Sequence, residues 1–148
     1  MKRIVFLSML VVFFTISFIT VGRSNNQPPT NEDYLLQERC EKQCEKWFLG
    51  KYEYGIKDTD GGKKFNYYHN HHNKKLNKCF IITGHVFIPK NGAGIVSKKS
   101  LFVVNENKEY GVFSKVIKET NPIECYLSDK SCKSEKEWNT LVKPYMEE

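Results

Sequence analysis

Cys79-Phe-Ile-Ile-Thr-Gly-His-Val-Phe-Ile88, stopped by Pro89, is the most apolar stretch of the chain after its N-terminal segment. Its β-branched and aromatic content, bounded by a proline, predicts a core strand. Working outward, strand periodicity begins upstream at Phe65 and runs through His69-Asn-His71-His72. Downstream, the turn-rich Lys90-Asn-Gly-Ala-Gly94 leads to Ser100-Leu-Phe-Val-Val104. Asn105-Glu-Asn-Lys108 then joins that run to Glu109–Ile117. Two β-rich runs around a short loop of asparagines, which tolerate left-handed backbone angles, predict a hairpin. Asn121-Pro122 closes the sheet, which is expected to be antiparallel, with three or four strands.

A helix is predicted on each side of this sheet. Asn31 is placed as an N-cap, Glu32 and Asp33 suit the positive end of the helix dipole, and Leu36, Cys40, Cys44, Trp47 and Phe48 recur at helical spacing. The helix is expected over 33–49, ended by Gly50. Lys51–Lys64 closes on Asp58-Thr-Asp-Gly-Gly-Lys-Lys64 and reads as a loop by its turn chemistry. Near the C-terminus, Ser134-Glu-Lys-Glu137 has capping-box spacing, and Trp138, Leu141, Val142 and Tyr145 outline a second short helix that Pro144 should truncate or kink. The fold class is therefore α+β.

The first 24 residues bear on location. Lys2 and Arg3 precede the uncharged run Ile4–Val21, and Arg23 follows it. Basic residues ahead of such a run keep the N-terminus inside and send the rest of the chain across the membrane, through a cleaved signal peptide or a retained signal anchor. The Pro- and Asn-rich 25–32 reads as a linker, and 33–148 as a single domain. The domain is expected to be exported, periplasmic or extracellular, touching the membrane only through 4–21 if the leader stays. Three of the 23 basic residues lie in the leader, which leaves 20 against 17 acidic ones. These lysines are scattered among acids, so a nucleic-acid partner is not expected. The expected partner is a protein or another envelope component.

Export to an oxidising compartment lets cysteines pair, and five cysteines form at most two internal bonds. Cys125 and Cys132 bracket a short polar loop, and closing it is worth about 2–3 kcal/mol on the chain-entropy model. Cys79 opens the core strand, and either Cys40 or Cys44, one helical turn apart, can tie the helix to it for about 4 kcal/mol. Cys40 is taken as the partner and Cys44 as the free thiol, acting as a small buried hydrophobe. Zinc on Cys40-x-x-x-Cys44 is disfavoured, because no second pair has zinc spacing.

Candidate chemistry is sparse. On a strand, His69 and His71 share a face and can offer two imidazoles to zinc or copper, with His85 as a third if the two strands pair. No nucleophile elbow or cofactor motif is present, and no catalytic residue can be named. Glu106 and Glu109 sit in or beside the hairpin turn, where solubility explains them better than acid–base chemistry. Tyr52, Tyr54, Phe65, Tyr67 and Tyr68 form a dense aromatic run that can line a partner surface or pack as alternate rings on a half-buried strand.

Four strings stand together in order: CEKQCEKWF (40–48), NKKLNKCF (73–80), SLFVVNENKEYG (100–111) and SEKEWNTLVKPYMEE (134–148). In these the chain resembles a group of small exported bacterial proteins of uncharacterised function. The resemblance implies that Cys40, Cys79, Cys125 and Cys132 are the recurring cysteines. Cys44 stands where the pattern would have Ala, and His72 where it would have an aromatic ring, so the histidine cluster is particular to this chain. It implies no activity. The functional expectation is an exported interaction domain without catalytic activity or cofactor; the alternative is a divalent-metal-binding protein using His69, His71 and His85.

Overall fold

The computed structural model describes residues 28–147, so the apolar leader and the first three residues of the linker, 25–27, lie outside the described residues. Helix α1 spans Asn31–Leu49. Seven strands follow: β1 Gly55–Thr59, β2 Gly62–Asn73, β3 Lys78–Pro89, β4 Val96–Val103, β5 Lys108–Val116, β6 Glu124–Leu127 and β7 Lys130–Ser131. Helix α2, Glu135–Met146, ends the chain. The strands form one antiparallel meander in chain order. The α+β class and the two disulfides agree with the sequence expectation, but the sheet has seven strands instead of three or four.

Two misread segments account for the difference. Asp58–Lys64, expected as a loop, forms the β1–β2 turn, where the Thr59 hydroxyl donates to the Gly62 carbonyl at 2.8 Å. The polar segment between Cys125 and Cys132 folds as the β6–β7 hairpin, beyond the point where Asn121-Pro122 was expected to close the sheet. The N-cap of α1 is Thr30, one residue before Asn31, with a reciprocal bond from Thr30 N–H to Asp33. Helix α1 therefore starts two residues earlier than expected and shortens the linker. Pro144 does not truncate α2, which continues to Met146. Ser134 caps it, accepting from Glu137 N–H, while the Glu137 carboxylate reaches past the cap to Lys133 N–H at 2.8 Å. Among the described residues no helix is long and apolar enough to cross a membrane.

Alternation along the strands gives the sheet two buried faces, each covered by one helix. On one face Phe80, Leu101, Val103, Phe113 and Leu127 pack against Trp138 and Val142 of α2. On the other, Cys79 and Ile81 pack against Cys40, Cys44 and Phe48 of α1. A register shift between Leu101 and Phe102 leaves Tyr110 unmatched in β5, and its ring joins Phe80 and Tyr145 on the α2 side. The disulfides are Cys40–Cys79, which ties α1 to β3, and Cys125–Cys132, which ties β6 to the start of α2; Cys44 is free and buried.

Candidate functional site

Helix α1 covers β2 and β3 only as far as its end at Leu49. Beyond that end, the chain from Gly50 to Glu53 and the lower halves of β2, β3 and β4 enclose a cleft of about 570 Å³. Strand register decides what faces it: Asn66 pairs with His85 and Lys64 with Phe87, while His85 pairs with Lys98 and Phe87 with Val96. Lys64, Asn66, His85, Phe87, Val96 and Lys98 therefore share the α1 face and line the cleft. Tyr52 closes it from above, its ring 4.4 Å from that of His85.

The polar groups are ordered by a short relay. Asn66 Nδ2 donates to the Glu53 carbonyl at 2.9 Å, which turns its Oδ1 toward His85 Nδ1 at 2.9 Å. Nδ1 must then carry the proton, which leaves Nε2 of the neutral ring as an acceptor. Burial holds the His85 imidazole below its usual range, and the Lys98 ammonium adds to the effect. The charge of the cleft is positive: Lys51, Lys57, Lys64 and Lys98 line it against one carboxylate, Glu53, which is paired with Lys57. Lys51 is bonded to Asn107 Oδ1 at 2.8 Å. Among the described residues neither Lys64 nor Lys98 has a carboxylate partner. Of the last carbonyls of α1, those of Lys46 and Phe48 accept from the N–H groups of Gly50, Lys51 and Tyr52.

The residues singled out in the sequence are dispersed. His69 pairs with Ile82 and His71 with Phe80, which puts both imidazoles on the α2 face, while His85 and His72 are on the α1 face. The sheet itself separates His85 from His69 and His71, so the three cannot share one ion. The ligand atoms that do converge belong to Cys40, Cys44 and Cys79, within 4.8 Å of one another, two of them joined as a disulfide. Glu106 is paired with Lys78 at 2.7 Å, and Glu109 accepts from the Tyr126 hydroxyl at 3.1 Å. The aromatic run is split: Tyr52, Tyr54 and Tyr68 surround Phe48 beside α1, and Phe65 and Tyr67 stack on the opposite face.

Sequence reasoning missed Lys64, Asn66, Phe87 and Lys98. A signal existed for Phe87, since a residue two places from His85 on a strand must share its face. For the others it did not, because their convergence depends on which strands become neighbours. The chain matches no family model, and no curated protein or solved structure matches it.

Proposed function

We propose that residues 1–24 direct export and that the following domain is a periplasmic or extracellular binding protein, whose cleft below the end of α1 takes a small organic anion. The observation that carries this reading is the pair of uncompensated lysines, Lys64 and Lys98, beside His85 in a concavity with aromatic walls. The volume lies within the roughly 300–1,000 Å³ usual for small-molecule sites, and such sites combine apolar walls with a few convergent polar groups. Binding is favoured over catalysis because the lining side chains include no serine or cysteine to serve as a nucleophile beside His85. The two disulfides fit an oxidising compartment. Divalent-metal binding by His69, His71 and His85 has no supporting geometry.

The test is a fluorescence titration of the oxidised protein with an anilinonaphthalene sulfonate, which combines an aromatic body with one anionic group. Saturable one-to-one binding that weakens with salt and is lost in a K64M/K98M variant is expected. Equal binding by that variant, or by an uncharged analogue, would overturn the reading. Export is tested separately by fusing alkaline phosphatase after Glu148, where an inactive fusion in a host that exports a matched control removes the assignment.

A further inference from the structure

Cys40 and Cys44 lie one turn apart on α1, and both face Cys79 at the start of β3. Cys40 holds the disulfide, yet Cys44 Sγ is in contact with Cys79 Sγ at 3.3 Å. The Cys44 sulfur therefore lies against the atom it would have to attack to displace Cys40. Spatial surroundings differ between the two helix cysteines. Cys44 is fully buried, whereas Cys40, although only 2% exposed, borders an open cavity of about 250 Å³ with Arg39, His72 and Asn77 on its wall.

We propose that Cys40, Cys44 and Cys79 form one exchange site in which the disulfide migrates along α1 and uncovers Cys40 as a reactive thiol. In the step, the Cys44 thiolate forms a bond to Cys79 Sγ as the Cys40–Cys79 bond breaks. The electron pair leaves on Cys40, which takes up the proton that Cys44 gave up. One disulfide and one thiol are present before and after, so no oxidant or reductant is consumed. The helix stays tied to β3 in both states, and the free thiol moves from a sealed position to a cavity wall. There the Arg39 guanidinium lies on the same wall, and a cation beside the thiol favours the thiolate and its reaction with a small electrophile or disulfide.

The rate is set by the Cys44 thiolate. Burial, with a smaller contribution from Glu41, pushes the Cys44 thiol up to about 12. The groups around it are Glu41 on α1, Tyr68 on β2 and the Cys79 sulfur on β3, none of which is cationic. Exchange is therefore slow at neutral pH and gains about tenfold per pH unit as the thiolate fraction grows.

The test labels the native oxidised protein with a small maleimide at several pH values, followed by acid quenching and trypsin. Cleavage after Arg39, Lys42 and Lys46 separates Cys40 in Cys-Glu-Lys from Cys44 in Gln-Cys-Glu-Lys. The adduct is expected on Cys40, at a rate that rises with pH, and it should disappear in C44A, whose Cys40–Cys79 bond cannot be displaced from within. An adduct confined to Cys44 at every pH, or Cys40 labelling that persists undiminished in C44A, would overturn the proposal. A C40S variant gives a second reading: it should oxidise to Cys44–Cys79, and a folded C40S domain that keeps both thiols free after oxidation would also overturn it. If C40S does not fold, the comparison of the native chain with C44A still decides.

Discussion

Asn73 is 1% exposed and uses both ends of its amide: Nδ2 donates to the Pro144 carbonyl at 2.9 Å, and Oδ1 accepts from Leu76 N–H at 2.9 Å. It holds the β2–β3 turn to the last turn of α2, which explains an asparagine in the string NKKLNKCF without any reference to a ligand. Asn73→Ala leaves buried groups unpaired and should lower stability by about 1–3 kcal/mol, read as a shift in urea midpoint at constant slope. Asn107 has a comparable structural role, with φ +48° in the β4–β5 turn and its Oδ1 accepting from Trp47 Nε1 at 2.9 Å. His85 supplies a pH dependence of known sign. Its folded-state pKa lies below the ordinary value of about 6.5, so on acidification the unfolded chain takes up the proton first. Stability from this group is complete above about pH 6.5 and declines as pH falls toward the folded-state value. Thermal melts between pH 7.5 and 5.5 should show that decline, and His85→Gln should flatten it. Asp33, held at about 2 chiefly by its bond to Lys74, has the carboxylate sign and a separate window: its contribution is present above about pH 4 and is lost on approach to pH 2.

The β1–β2 hairpin depends on Gly62. Its φ is +154°, and a Cβ there would stand 2.1 Å from the Ile88 carbonyl oxygen, a backbone atom that cannot move without parting β2 from β3. Gly61, its neighbour, has room, since a Cβ would meet only the Phe87 ring at 3.6 Å. Gly62→Ala should cost about 1–3 kcal/mol by overpacking and backbone strain while Gly61→Ala stays near neutral, a contrast that denaturant unfolding of the two variants would measure. Helix α2 depends on its buried face more than on its regularity. Pro144 takes one donor from the helix, but Trp138, at 1% exposure, and Val142 anchor it to Phe113 and Leu127. Tertiary packing of an amphipathic face outweighs the lost hydrogen bond, which is why the helix continues through the proline.

At the scale of the molecule, the two disulfides constrain loops of different length. Cys40 and Cys79 are 39 residues apart, for which the chain-entropy model gives about 4 kcal/mol, while the separation of 7 between Cys125 and Cys132 gives about 2.5 kcal/mol. Melting under reducing conditions should therefore fall well below melting of the oxidised protein, and a C125S/C132S variant should lie between the two. A variant as unstable as the fully reduced protein would show that the β6–β7 hairpin does more than its loop length implies. The sequence by itself determined the two helices, the four long strands and the Cys125–Cys132 pair, because caps, apolar periods and closely spaced cysteines act over a few residues and are written locally, whereas the choice of Cys40 over Cys44 as the partner of Cys79, 39 residues away, rests on the packing of α1 on β3. It did not determine β1, β6 or β7. Strand β1 buries none of its five residues fully, so it has no apolar alternation to read, and its hydrogen bonds come from β2. The same limit applies to the sites. His69 and His71 could be placed on one face by counting, but their separation from His85, the gathering of Lys64 and Lys98 around it, and the contact of Cys44 with Cys79 follow from the register of β2, β3 and β4 under α1. That register is set by which apolar faces are buried together, a property of the folded chain that local spacing does not contain.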